Sequence, residues 1–461
     1  MLANPKLFKA YDVRGEWNKD WDADFVFNIG KAIASVLKPR VVVLGRDMRV
    51  SGDAIFEQLS SALLSSGVDV WDVGLCGTEL TYFATSFVPD VDAAVMITAS
   101  HNPGRDNGLK ITLRNTVGLG LSSGLSEIRD AALARNFPFY NGQSGILKCV
   151  DLWPRYREHV FQLAQINPVL LSGKKIVIDA GNGIGGFHFD RVLGHLPFDV
   201  ARMCWNPDGN FPNHPADPFQ ERNVEDLKKR VVEEKALFGV AYDGDTDRVF
   251  FVDDRGRYLP GYYLAALLTD SLLRTCPHPS DEIIVHDPRY YWATQDVVWK
   301  YNAKAVRSLV GHTLIKQKMR ECNSLFSAEC SGHIFYRENS FAESTMLTTL
   351  LMLKLVLEKG SLAVLLDPFF KQYFISGEMN FIVSDVESAL KRFQEKYHYC
   401  EGASVFIDDG YGVDFANWRF NVRPSNTQPL LRLNVEAKNS ALLHEKIEEL
   451  KQLISGKISY E

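Results

Sequence analysis

Ala93-Ala94-Val95-Met96-Ile97-Thr98-Ala99-Ser100-His101-Asn102-Pro103 is the stretch on which the reading of this chain turns. Five apolar residues in a row match a short strand buried in a sheet. Asn-Pro closes the run as a turn signal. The strand therefore delivers one serine, with a histidine beside it, to a tight loop. In open α/β sheets the carboxyl ends of strands are where ligands bind. Ser100 is accordingly read as the carrier of a phosphoryl group, and the other polar loops as parts that meet it.

The surrounding sequence alternates. Helical patterns over 24–37 and 51–66 flank strand-like runs over 40–45 and 68–74. This is an α/β signature, with helices covering the faces of a sheet. With 461 residues the chain is too long for one hydrophobic core, and three or four domains are expected. At 46% apolar and 23% charged residues, with a net charge of −6, the composition is globular. No basic surface argues for nucleic acid or membrane. The seven cysteines are scattered and form no C-x-x-C pair, so neither a disulfide framework nor a zinc site is expected. No signal peptide and no membrane span are read, and a cytoplasmic location fits.

Further along, Asp243-Gly244-Asp245-Thr246-Asp247-Arg248 lies between strand-like runs over 237–242 and 249–252. Three carboxylates at i, i+2 and i+4 repel one another unless a cation sits among them. Hard oxygen ligands select Mg²⁺ or Ca²⁺. An EF-hand is excluded: Arg248 stands at its glycine position, Asp254 at its glutamate position, and the flanks are strands. Mg²⁺ completes such a shell with water or phosphate oxygen.

Other loops carry donors of the same kind. Arg14-Gly15 places a guanidinium fork over open backbone, which suits phosphate, with a solvated turn as the alternative. Lys110 lies close enough in sequence to fold back on Ser100, as a phosphate counter-ion or acid/base group. Arg289 follows a strand over 282–286, and His312 opens a helix. Glu329, Ser331 and His333 alternate, so an extended segment would project them to one side, where a carboxylate and a hydroxyl suit a sugar diol. Arg423, Ser425, Asn426 and Thr427 are a dense donor set for a dianionic phosphate, with a polar turn as the alternative.

Gly181-Asn182-Gly183-Ile184-Gly185-Gly186 matches the dinucleotide pattern after a strand over 174–179. That pattern wants a carboxylate at the end of the next strand, where the chain reads Ala201-Arg202-Met203-Cys204-Trp205. A tight glycine turn explains the glycines. A nicotinamide-dependent oxidoreductase would rest on these residues alone. The loop over 206–218 holds His214 near Asp208 and Asp217, in a spacing that matches no ligand pattern, and is read as a structured connector.

Taken together, T-A-S-H-N-P, D-G-D-T-D-R, E-C-S-G-H and R-P-S-N-T-Q-P, in this order and spacing, resemble the α-D-phosphohexomutase superfamily. F-K-A-Y-D-V-R-G, P-D-G-N-F-P-N, H-D-P-R and D-F-A-N-W-R-F-N look like its bacterial phosphomannomutase branch. The resemblance spans the chain. It implies an α/β fold of four domains around a central cleft, three related α/β units with mixed sheets and a C-terminal α+β domain, in a heart-shaped arrangement. The expected boundaries are 1–147, 148–252, 253–364 and 365–461.

By the same resemblance Ser100 is the phosphoserine, and Asp243, Asp245 and Asp247 hold Mg²⁺ with a phosphate oxygen on Ser100. His101, Lys110 and Arg248 line the transfer site, Lys110 being the favoured acid/base group. Glu329 and Ser331 bind sugar hydroxyls, and Arg423, Ser425, Asn426 and Thr427 grip the phosphate that is not transferred. Tyr11, Arg14, His312 and His333 surround sugar and phosphates, and Arg289 pairs with phosphate. The chain departs from the family at Gln428, Cys330, Ala328 and Ala342-Glu343-Ser344, none of which removes a direct donor.

The implied activity is conversion of mannose 6-phosphate and mannose 1-phosphate through a hexose 1,6-bisphosphate, which also serves as activator. Phosphoglucomutase or dual specificity is the alternative. The implied partners are hexose phosphates, the implied context is GDP-mannose biosynthesis, and the implied state is monomer or homodimer.

Overall fold

The computed structural model describes residues 4–424, 430–454 and 456–459. The chain divides into two compact units, one made of residues 1–260 and 331–363, the other of 261–330 and 364–461.

The first unit contains two mixed sheets. In the first, the strands run in the order Val13–Glu16, Asp106–Leu113, Ala93–Ile97, Val41–Arg46, Asp69–Leu75, Leu147–Cys149. Val41–Arg46 pairs in parallel with both Asp69–Leu75 and Ala93–Ile97. Ala93–Ile97 then pairs antiparallel with Asp106–Leu113, setting Met96 opposite Lys110 and Ile97 opposite Leu109. This register returns Lys110 to the end of the strand that leads to Ser100. All five residues of Ala93–Ile97 are buried, as a continuous apolar run requires. The helices Ala23–Leu37 and Gly52–Leu64 turn Phe25, Ile29, Ile33, Leu59 and Leu63 onto Val42, Leu44, Val95 and Ile97. The first of them is capped by Asp22, whose carboxylate accepts from the Phe25 amide at 3.0 Å.

The second sheet runs Tyr258–Leu259, Val249–Asp253, Phe238–Tyr242, Lys175–Asp179, Asp199–Met203. Phe238–Tyr242 and Val249–Asp253 are antiparallel, and Tyr242 opposite Val249 closes the hairpin that presents residues 243–248. The glycines that matched the dinucleotide pattern serve packing instead. The Ile184 amide donates to the Gly244 carbonyl at 2.9 Å, and a Cβ on Gly183 would meet that oxygen at 2.8 Å. Asp199–Met203 carries no carboxylate at its C-terminal end, where Cys204 follows. The same unit holds the antiparallel pair Ile334–Tyr336 and Ala342–Glu343 and the helix Thr345–Lys359, capped by Ser344.

In the second unit Ile283–His286 pairs in parallel with Lys304–Arg307 and with Phe326–Ala328. A separate, fully antiparallel sheet runs Ser404–Phe406, Tyr411–Asp414, Trp418–Pro424, Leu430–Ala437, Met379–Ile382, Lys457–Ser459. The helices Val386–Tyr397 and Ser440–Ile454 cover it, packing Phe393, Tyr397, Leu450 and Ile454 against Phe381, Phe420, Val422 and Leu433.

Candidate active site

Ser100 follows directly on the buried strand and is itself 1% exposed. Its φ of 52° lies in the left-handed region, rare for a side-chain-bearing residue. A chain of hydrogen bonds holds it there. The Ser100 amide donates to the Thr98 hydroxyl at 2.8 Å, and Thr98 donates to Asp47 at 2.5 Å. The Arg49 Nη2 donates to the carbonyls of Ser100 and Asn102, each at 2.7 Å. Arg49 Nη1 donates to Pro103 and Asp106 carbonyls at 2.8 and 2.7 Å. One guanidinium thus ties the whole loop together, an arrangement that an arginine fork allows.

Ser100 Oγ lies 2.9 Å from Asp243 Oδ2, 3.1 Å from Arg248 Nη2 and 3.2 Å from His101 Nδ1. Ligand atoms of Asp243, Asp245 and Asp247 all lie within 4.8 Å of one another, and all three residues are buried. Asp243 Oδ1 accepts from the amides of Asp247 and Arg248, both at 3.1 Å. Asp245 Oδ2 accepts from Thr78 at 2.5 Å and from Lys110 at 2.6 Å, while Asp245 Oδ1 is buried with no hydrogen-bond partner. Burial, and then the Asp247 charge, push the Asp243 carboxyl well above its ordinary range. Three clustered carboxylates and an orphaned oxygen are what a divalent cation relieves, so the donor set fits a hard metal ion.

Lys110 supplies part of that missing charge. Its Nζ sits 2.6 Å from both Asp245 Oδ2 and Asp247 Oδ2. Burial works against its ammonium form, but Asp245 and Asp247 outweigh burial and hold it above the usual lysine value. His101 is held neutral: burial, then Arg248 and Arg14, drive its pKa well below the ordinary imidazole value. Arg248 Nη2 donates to His101 Nδ1, so that nitrogen is an acceptor already engaged. The imidazole nitrogen facing Ser100 is shared with a guanidinium, which argues against a serine–histidine hydrolytic pair.

Arg14 is anchored by Asp12 at 2.7 Å and donates to the Ala99 carbonyl and to Asn102 at 3.2 and 2.9 Å, beside the Ser100 loop. Tyr11 is half-buried just before it. His333 Nδ1 lies 3.5 Å from Glu343 and 3.9 Å from Asp247.

The second unit gathers a separate set. Arg289 is chelated by Asp287 and lies 3.6 Å from Glu329. Glu329 is buried and accepts from the Gly311 amide at 3.1 Å, next to His312 at the start of the helix His312–Cys322. Glu378 draws three arginines, Arg423 at 3.1 Å, Arg432 at 3.3 Å and Arg289 at 3.5 Å. Arg289 is already matched by Asp287, so Arg423 and Arg432, sharing Glu378 alone, are the guanidiniums best placed to offer donors to a phosphate dianion. Ser425, Asn426 and Thr427 lie outside the described residues.

One expectation is corrected. Glu329, Ser331 and His333 are not on an extended segment: the strand stops at Ala328, and the chain turns through Cys330 to Gly332, where φ is 92°. Ser331 and His333 belong to the first unit and Glu329 to the second. Sequence reading also passed over Arg49, Thr78, Glu378 and Arg432. For Arg49 a signal exists, since Asp47-Met48-Arg49 follows the strand Val41–Arg46 just as the Ser100 loop follows its own.

Among the described residues no helix is long and apolar enough to cross a membrane. The chain matches the phosphoglucomutase/phosphomannomutase α/β/α domains I, II and III over residues 5–137, 154–256 and 260–373, and the C-terminal domain over residues 378–453. A protein described as phosphohexose mutases from Xanthomonas campestris pv. campestris (strain B100) is 39% identical, with 97% of this chain and 99% of that one aligned. A phosphomannomutase of Salmonella montevideo is 36% identical, over 99% of this chain and 100% of the relative. The crystal structure of a phosphoglucomutase/phosphomannomutase family protein from Burkholderia thailandensis matches with a TM-score of 0.89 at 27% identity, covering 99% of this chain and 100% of that one. The chain therefore belongs to the α-D-phosphohexomutase superfamily, close to the bacterial phosphomannomutases, and is a phosphohexomutase.

Proposed function

We propose that this enzyme interconverts mannose 6-phosphate and mannose 1-phosphate by way of a phosphorylated Ser100 and a hexose 1,6-bisphosphate. The observation that carries the reading is Ser100 Oγ, set 2.9 Å from Asp243 and 3.1 Å from Arg248 rather than against a free base. A relative named phosphomannomutase, aligned over its full length, supports the substrate.

In the forward half-reaction the bond between phosphorus and Ser100 Oγ breaks and a bond from phosphorus to the sugar hydroxyl oxygen forms. The hydroxyl proton passes to a base. In the second half the bisphosphate, turned over, returns its other phosphoryl group to Ser100. Asp243, Asp245 and Asp247 would hold Mg²⁺, which neutralises charge on the transferring group. Arg248 donates to Ser100 Oγ and so stabilises charge that develops there as the phosphoryl group leaves. Lys110 is the candidate acid/base group; Asp245 and Asp247 hold it as an ammonium, so they must loosen their hold before it can give a proton to the released oxygen or take one from the sugar hydroxyl.

Arg423, Arg432 and Arg289 are assigned the phosphate that is not transferred, and Glu329 and Ser331 the 3- and 4-hydroxyls. Those hydroxyls occupy roughly equivalent places in both orientations of the sugar, whereas mannose and glucose differ at carbon 2. Glucose phosphates are therefore expected as side substrates. The test is kcat/KM for mannose 1-phosphate and glucose 1-phosphate with bisphosphate present. A higher value for mannose supports the reading, and a clear preference for glucose replaces it with phosphoglucomutase.

A further inference from the structure

A second set of metal-ligating side chains lies in the first unit, away from the three aspartates in sequence and different from them in chemistry. Asp179 ends the strand Lys175–Asp179, Cys204 is the first residue after the neighbouring strand Asp199–Met203, and His214 comes from the loop beyond. His214 Nε2 lies 3.0 Å from Asp179 Oδ2 and 3.6 Å from Cys204 Sγ, and the three ligand atoms all fall within 4.8 Å of one another. A tetrahedral zinc ion, with bonds of about 2.0–2.1 Å to N and O and about 2.3 Å to S, separates its N and O donors by about 3.3 Å and its N and S donors by about 3.6 Å. The observed spacings are close to those values.

The surroundings orient each ligand. His214 Nδ1 lies 2.9 Å from the Pro215 carbonyl, which can only accept, so the proton is fixed on Nδ1. Nε2 faces Asp179 and Cys204; without a metal it carries a second proton toward the Asp179 carboxylate, and zinc would take the place of that proton. Asp179 Oδ1 accepts from the Gly181 amide at 2.9 Å, which fixes the carboxylate with Oδ2 toward His214. Cys204 is held at a positive φ of 44° by the turn that leaves its strand. Asp179 is 2% exposed, while Cys204 and His214 are half-buried, so the site has a dry floor and an open side. A carboxylate, a thiolate and an imidazole form a borderline-soft set that selects zinc over magnesium.

We propose that Asp179, Cys204 and His214 form a Zn²⁺ site with a fourth position open to water. The absence of a C-x-x-C pair argued against zinc in the sequence, but the fold draws the three ligands from positions 25 and 10 residues apart, where no spacing rule applies. The ligand loop also touches the Ser100 loop: a Cβ on Gly104 would lie 2.1 Å from the Gly209 carbonyl, and Arg49 stacks over Phe211 at 5.4 Å. Zinc would thus clamp the loop against which the Ser100 loop rests.

The test uses the full chain, stripped of metal and then held in excess Mg²⁺ to keep the three-aspartate cluster engaged. Iodoacetamide labelling read by peptide mass spectrometry is compared with and without one equivalent of Zn²⁺. Cys204 is expected to label on the order of tenfold more slowly with zinc, while exposed Cys149 and Cys400 are unchanged. In parallel, Co²⁺ should give a thiolate charge-transfer band that Cys204→Ser and His214→Ala each remove. The aspartate cluster has no thiolate and cannot give that band. Equal labelling of Cys204 with and without zinc, in the unmodified protein, overturns the proposal whatever the variants do. A cobalt band that survives Cys204→Ser overturns it as well.

Discussion

The backbone of Gly244 abuts that of Ser100: a Cβ built on Gly244 would lie 2.2 Å from the Ser100 carbonyl oxygen. The aspartate loop can reach the serine only because position 244 has no side chain. Gly244→Ala is expected to push the two loops apart at a fold cost of about 1–3 kcal/mol. Displacement of the aspartates from Ser100 should lower kcat/KM by about a hundredfold or more. Thermal unfolding with steady-state kinetics separates the two effects. A variant within twofold of the parent in kcat/KM would show that this approach is unnecessary.

Arg49 closes the Ser100 loop through four carbonyls. Lysine cannot reproduce the fork, so Arg49→Lys should leave buried carbonyls unpaired, at about 1–3 kcal/mol. Expected are a lower Tm, slower phosphorylation of Ser100 by hexose 1,6-bisphosphate, and a KM for hexose phosphate close to the parent value. An unchanged rate of phosphorylation would assign Arg49 to stability alone.

Arg423 and Arg432 share Glu378 in the second unit. If they bind the phosphate that does not react, Arg423→Lys and Arg432→Lys should each raise KM by about 10- to 100-fold, the weight of a charge-assisted hydrogen bond, with a smaller effect on kcat. A fall in kcat at constant KM would move these residues from binding to chemistry.

Glu449 gives a pH dependence separable from catalysis. It is hydrogen-bonded by Tyr397 at 2.7 Å and paired with Lys396 at 2.7 Å and Lys446 at 2.8 Å. Burial tends to raise its pKa, but Lys396, Lys446 and Tyr397 overcome that and bring it down to about 2. A depressed carboxylate stabilises the fold above its unfolded pKa of about 4.3, and that stability is lost as pH falls through the folded value. Glu449→Gln should therefore cost about 1 kcal/mol at neutral pH, after screening of a partly exposed pair. The gap between variant and parent should close between about pH 4 and pH 2. Urea unfolding at neutral and acidic pH measures it.

Some of this architecture was legible in the sequence and some was not, for a physical reason. Ser100 and the three aspartates sit at a strand end and in a hairpin, where apolar runs and turn residues mark the place, and Lys110 lies within the strand that pairs back on the one leading to Ser100. Thr78 meets Asp245 across 167 residues, and Arg49 meets Ser100 across 51, so no local pattern announces either. Glu329, Ser331 and His333 misled because alternation implies one face only in extended chain, and Gly332 turns it. Arg432 was hidden inside an apolar strand, where a single charge gives no sign of sharing a carboxylate with Arg423.

The central claim is that Ser100 carries the phosphoryl group. It is tested by intact-mass and peptide mass spectrometry of the enzyme incubated with hexose 1,6-bisphosphate and Mg²⁺, beside Ser100→Ala. One phosphoryl group on Ser100, absent from the variant, together with a loss of mutase activity of at least about a thousandfold, is the expected result. A phosphoryl group on another residue, or a Ser100→Ala enzyme that keeps the parent activity, would contradict it.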